Sequence, residues 1–132
     1  METMEHYILL IEKENSLRSA LAQHLRQEGF HVYETGEAEE AVATLGRSQV
    51  GTVLLGLKEL KRSGISLLRT IREQFPNVNV ITINSGERLD LSIEAMRLGV
   101  LDDFMIPFDV EELIAGIRSA LPGIDQQGSD VS

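Results

Sequence analysis

The chain has 132 residues and 42% hydrophobic content, enough for one globular domain with an ordinary core. Its 21 acids against 12 Lys and Arg give a net charge of −9, which repels phosphate backbones and anionic lipid and argues against nucleic-acid or membrane binding by this segment. No apolar run approaches the roughly 18 residues of a membrane span, the acidic start METMEHY is unlike a secretion signal, and the absence of cysteine excludes disulfides, thiolate metal sites and cysteine nucleophiles, so a cytoplasmic location is expected.

Strand-like runs and helix-period stretches alternate from end to end. HYILLIE (6–12) is rich in Ile and Leu, as a strand buried on both faces must be. ENSLRSALAQHLRQEG (14–29) predicts a helix with Leu17, Ala20, Leu21 and Leu25 inward, capped by Asn15 or Ser16 and stopped by Gly29. FHVYE (30–34) alternates as a strand, and Ala38, Ala41, Val42 and Leu45 then mark a short helix expected to stop at Gly46. GTVLL (51–55) is a third strand. A helix follows over 64–75, with Ile65, Leu68, Ile71 and Phe75 inward and Pro76 closing it. VNVITI (78–83) is a fourth strand, and the helix over 89–98 is expected to bury Leu89, Ile93 and Met96 before ending at Gly99. FMI (104–106) is a fifth, short strand. The last helix runs over 110–121 with Val110, Leu113, Ile114 and Ile117 inward, and PGIDQQGSDVS (122–132) reads as a polar tail or the start of a linker after a domain spanning 1–121.

Five β-α units with short connections imply an α/β, doubly wound, five-stranded parallel sheet of order 2-1-3-4-5, the flavodoxin-like arrangement. Function in such sheets lies in the crevice at the carboxyl ends of the strands. Those ends carry Glu12-Lys13-Glu14, Gly56-Leu57-Lys58, Asn84-Ser85-Gly86 and Ile106-Pro107-Phe108. No glycine-rich phosphate loop follows the first strand, where IEKEN stands, which argues against a nucleotide- or flavin-binding enzyme. His6, His24 and His31 lack metal-ligand spacing, so no metal site and no cofactor is expected.

IEKENSLRSALAQHLRQEGF (11–30), GISLLRTIRE (64–73) and MIPFDVEELIAGI (105–117), in this order and spacing, resemble the receiver domain of bacterial response regulators. The resemblance implies a domain that takes a phosphoryl group from a histidine kinase onto an aspartate ending the third strand. It further implies an acidic pair holding a divalent cation, a Thr or Ser ending the fourth strand and a Lys ending the fifth. In this sequence those positions hold Gly56 for the aspartate, Glu12-Lys13 for the pair, Asn84 for the hydroxyl and Ile106 for the lysine. Loss of nucleophile, metal ligand and lysine together removes the reaction, so the chain looks like a pseudo-receiver with no enzymatic activity. The aromatic that rotates on activation in the family falls at Asp103 or, with a shift of one, at Phe104, and Pro107 occupies a site that often has a cis bond.

Three further readings follow from the resemblance. Phosphorylation elsewhere would use Glu59, Ser63 or Ser85, and a remodelled anion pocket would use Lys13, Asn84 and Ser85. Lys13 can equally reach solvent or pair with Glu12, Glu14 or Asp102. Without chemistry the useful feature is surface. The face of the fourth helix, fifth strand and fifth helix would present Arg97, Asp103, Glu112 and Arg118 to another signalling protein, to a downstream effector domain or to a second copy. Glu94 and Gly116 stand where dimerising transcription-factor receivers tend to carry basic residues, and the missing side chain at Gly116 would permit close packing with a partner.

Overall fold

The structure is a computed structural model that describes residues 6–120. Its elements run β1 (Tyr7–Ile11), α1 (Asn15–Gln27), β2 (His31–Thr35), α2 (Ala38–Arg47), β3 (Thr52–Gly56), α3 (Arg62–Gln74), β4 (Asn79–Ser85), α4 (Leu89–Arg97), β5 (Asp102–Ile106) and α5 (Val110–Ser119). All pairings are parallel and the order is β2-β1-β3-β4-β5, the doubly wound sheet implied by the alternating pattern. The tail 122–132 lies outside the described residues.

The strand alternation divides the core in two. Leu9, Ile11, Val53, Leu55 and Val80 face α2, α3 and α4, where they meet Leu45, Leu68, Ile71, Leu91 and Ala95. Ile8, Leu10, Leu54, Ile81 and Ile83 face the other way, onto Leu21, Ala22 and Leu25 of α1 and Leu113, Ile114 and Ile117 of α5. Burying each such Leu or Ile stabilises the fold by about 1.5–3 kcal/mol relative to leaving it exposed. Helices α1 and α4 end where Gly29 (φ +98°) and Gly99 (φ +86°) take the left-handed conformation that stops them.

Several local expectations are corrected. In α1 the buried face is Leu21, Ala22 and Leu25, while Ala20 is exposed and Leu17 half-buried. Its N-cap is Glu14 and makes no side-chain cap; Asn15 accepts from Arg18 instead, at 2.8 Å. Helix α2 continues through Gly46 to Arg47, and β4 runs two residues further than the apolar run, to Ser85. The largest correction is in α4. Leu89, Ile93 and Met96, expected inward, are 59%, 46% and 53% exposed, and Leu91, Ser92 and Ala95 are buried in their place.

Candidate functional site

The carboxyl ends of β1, β3 and β5 frame a cavity of about 470 Å³ lined by Glu12, Glu14, Leu17, Lys58, Glu59 and Ile106. Three of the predicted positions, Glu12, Gly56 and Ile106, point to this side because they share strand parity with the α1/α5 face. Gly56 is paired with Ile83 in β4, and nothing projects from it. The space is filled instead by Glu12, whose Oε1 lies where a Cβ on residue 56 would stand. Glu12 is only 4% exposed; its Oε2 accepts from the Glu14 amide at 2.9 Å, and its backbone carbonyl accepts from Arg18 Nη1 at 2.8 Å. Burial pushes the Glu12 carboxyl up from its ordinary value, and the charges of Glu14 and Glu59 push it further, against the lowering pull of the Glu14 amide and Arg18.

Asn84 turns to the opposite side of the sheet. It is fully buried; its Nδ2 donates to the Arg88 carbonyl (3.1 Å) and to Ser92 Oγ (2.9 Å), and its Oδ1 accepts from the Ser85 amide (2.8 Å). A short hydroxyl would reach only part of this set. Asn84 therefore ties the end of β4 to the first turns of α4 and is not available to an incoming anion. Lys13 is exposed and does not line the cavity; its cation is Lys58. Lys13 and Asn84 thus differ in exposure, the one open to solvent and the other buried. Of the alternative acceptors, Ser63 Oγ donates to the Leu60 carbonyl at 2.6 Å, Ser85 Oγ accepts from the Glu87 amide at 3.3 Å, and Glu59 borders the cavity.

The β4–β5 register sets the two candidate positions for the aromatic on opposite sides of the sheet. Asp103 lies opposite Thr82 on the α4 side, and its carboxylate accepts from Thr82 Oγ1 at 2.5 Å. Phe104 faces α5, where its ring stands 3.8 Å from the position a Cβ on Gly116 would take and 6.0 Å from the Phe108 ring. Gly116 thus receives an intramolecular ring, and of the two candidate positions Asp103 faces α4 while Phe104 faces α5. The Ile106–Pro107 bond is cis.

The expected interaction residues differ in what they contact. Arg97 and Glu112 are exposed. Arg118 instead reaches the end of α1, donating to the Glu28 carbonyl at 3.0 Å and carboxylate at 3.2 Å, with its guanidinium 5.3 Å from the Phe30 ring centre. Glu94 is taken by Arg62 (2.6 Å) and Arg69 (3.0 Å) from α3, which hold its carboxyl down to about 2. Between these charges lies what the sequence reading missed. Leu89, Ile93 and Met96 of α4, with Ser92, Asp102, Asp103 and Met105, line an open groove, and Leu101 stands 48% exposed just before β5. The same i, i+4, i+7 spacing that suggested a core stripe is the signal that could have found it.

The model of the response regulator receiver domain matches residues 8–118. The chain belongs to that family. As a receiver, it is 27% identical over 120 residues to the DNA-binding transcriptional regulator NtrC of Proteus hauseri, covering 91% of this chain and 25% of that protein. It is 26% identical over 119 residues to sporulation initiation phosphotransferase F of Bacillus subtilis, covering 90% of this chain and 96% of that one. The crystal structure of a CheY-like receiver domain protein from Methanospirillum hungatei superposes with a TM-score of 0.82 at 20% identity, over 96% of this chain and 99% of that one. This receiver thus spans a quarter of one relative and nearly the whole of another. Among the described residues no helix is long and apolar enough to cross a membrane.

The divalent cation that receivers use does not fit this crevice. Such an ion needs several oxygens within about 2.0–2.6 Å of one point. Among the described residues Glu12, Glu14 and Glu59 do not gather into a ligand set, Gly56 offers no side chain, and Glu12 is turned into the gap beside it.

Proposed function

We propose that this receiver domain acts in bacterial two-component signalling without phosphoryl transfer at the end of β3, as an interaction or regulatory module working in the cytoplasm. The observation that carries this reading is Glu12 filling the space beside Gly56. A carboxylate nucleophile and a bound cation are the two things phosphoryl transfer to a receiver requires, and one side chain stands where both would act. Asn84 supports it from the other side of the sheet. In a switching receiver two conformations lie close in energy and phosphate selects one. Here three hydrogen bonds hold the β4–α4 connection in one arrangement, and Ile106 offers an incoming phosphate nothing. Regulation would then come from partner binding or protein abundance. The working surface is the apolar groove of α4 and β5, and the partner is another signalling protein, an effector domain of the same regulator, or a second copy. The match to a quarter of NtrC is consistent with an effector domain in the full protein. The net charge of −9 favours a protein partner over nucleic acid or a membrane surface.

Incubation with acetyl phosphate and Mg²⁺ followed by intact-mass spectrometry tests this reading. The expected spectrum is unchanged. A stable adduct mapping to Glu59, Ser63 or Ser85 would replace it with phosphorylation at a relocated acceptor.

A further inference from the structure

On the side of the molecule away from the α4 groove, α1 and α5 share the core cluster of Leu21, Leu25, Leu113 and Ile117. At the edge of that contact stand His24 and Glu28, one helical turn apart at the end of α1, and Glu111 in the first turn of α5. One ligating atom from each lies within 4.8 Å of the other two, and His24 Nε2 is 3.8 Å from Glu111 Oε2. Among the described residues this is the one group of His, Asp or Glu that gathers so closely.

We propose that His24, Glu28 and Glu111 form a zinc-binding clip between α1 and α5. Zinc bound at about 2.0–2.2 Å by imidazole nitrogen and carboxylate oxygen requires its ligand atoms roughly 3.4 Å apart at a tetrahedral site. His24 Nε2 and Glu111 Oε2, at 3.8 Å, already stand near that spacing, and no pair of ligating atoms has to close from more than 4.8 Å. The donor chemistry selects the metal: one imidazole with two carboxylates suits zinc, whereas magnesium and calcium take oxygen ligands throughout. Three protein ligands leave a fourth position for water. Arg118 stands beside the group and bonds Glu28 through one carboxylate oxygen, Oε1, and the backbone carbonyl. The clip is separate from the crevice, and it tightens α5 onto α1 without use of Glu12 or Gly56.

The test uses the whole chain without a polyhistidine tag, titrated with Zn²⁺ by calorimetry and followed through the histidine ring signals by NMR. One equivalent is expected to bind, with the His24 signals moving and the melting temperature rising. His24→Ala and Glu111→Gln should each weaken binding at least tenfold, and Mg²⁺ at the same concentration should move nothing. Zinc affinity that survives both substitutions, or ring shifts at His6 or His31 with His24 unmoved, overturns the proposal. Glu111 is exposed, so Glu111→Gln keeps the test intact if His24→Ala alters the fold.

Discussion

The crevice at the strand ends and the outer face of α4 invert each other. At the strand ends two polar side chains are spent internally: Glu12, in the crevice, on the gap beside Gly56 and the Glu14 amide, and Asn84, on the opposite side of the sheet, on Arg88, Ser92 and Ser85. On α4, where a surface helix ordinarily presents polar residues, Leu89, Ile93 and Met96 are left to solvent. A polar group already paired by its own fold has little free energy left for a ligand, while an uncovered apolar side chain retains about 25 cal/mol per Å² for a partner. On the function proposed above, the working potential of this domain lies on its surface.

The sharpest way to break that comparison is within α4 itself. Leu91→Ala, on the buried face, should cost about 2–5 kcal/mol in urea denaturation. Ile93→Lys, one turn-face away, should change stability by less than about 0.5 kcal/mol while weakening whatever association the groove supports, read by analytical ultracentrifugation with a candidate partner. Equal losses for the two would mean the exposed stripe is core.

The next largest effect belongs to Asn84. Asn84→Ala leaves the Ser85 amide and the Arg88 carbonyl without their side-chain partner and should cost about 3 kcal/mol. It should also introduce slow exchange in the 85–89 connection, visible by relaxation dispersion. A silent spectrum would mean that packing of α4, rather than Asn84, holds the loop.

Gly56→Asp asks whether the missing nucleophile is the whole loss. The new side chain must displace the Glu12 carboxylate and sit beside it in a desolvated corner, so a cost of about 2 kcal/mol at pH 7 is expected, with no phosphoryl uptake from acetyl phosphate. Combining it with Glu12→Ala should recover most of the stability, since the clash is between the two. Phosphorylation of the single variant would show that Glu12 moves aside readily.

The smallest effect is also a pH signature. The folded-state value of Glu12 is raised above its ordinary 4.5, so its contribution to stability is fully present below 4.5 and is lost as pH rises through the folded value. Glu12→Gln should remove that decline and gain about 1 kcal/mol at pH 7. His6 acts in the other direction. It is buried against Phe30 with Nε2 3.0 Å from Thr52 Oγ1, and burial lowers its value, so its contribution holds above 6.5 and falls away as pH drops through the folded value. Comparison of wild type and Glu12→Gln by denaturation from pH 4.5 to 8 separates the two.

The alternation of apolar runs and helix-period stretches was enough to read five β-α units and a doubly wound parallel sheet, because strand and helix periods are local properties of the chain. It also placed Glu12, Gly56, Asn84 and Ile106 at strand ends, since each directly closes a strand-like run. What those residues do there was not legible. That Glu12 bends into the gap beside Gly56 depends on β1 and β3 being neighbours in space, and that Asn84 bonds Arg88 and Ser92 depends on how α4 docks. The direction of Arg118 toward Glu28, and the approach of Glu111 to His24, are contacts between elements far apart in sequence, which no local period encodes. The case of α4 is the plainest. Leu89, Ile93 and Met96 and the set Leu91, Ala95 and Leu98 share the same i, i+4, i+7 spacing, so periodicity offers two equally good inner faces. Only the tertiary structure chose between them: Leu91 and Ala95 pack into the core with Leu98 against them, and Asn84 bonds Ser92 on the same face.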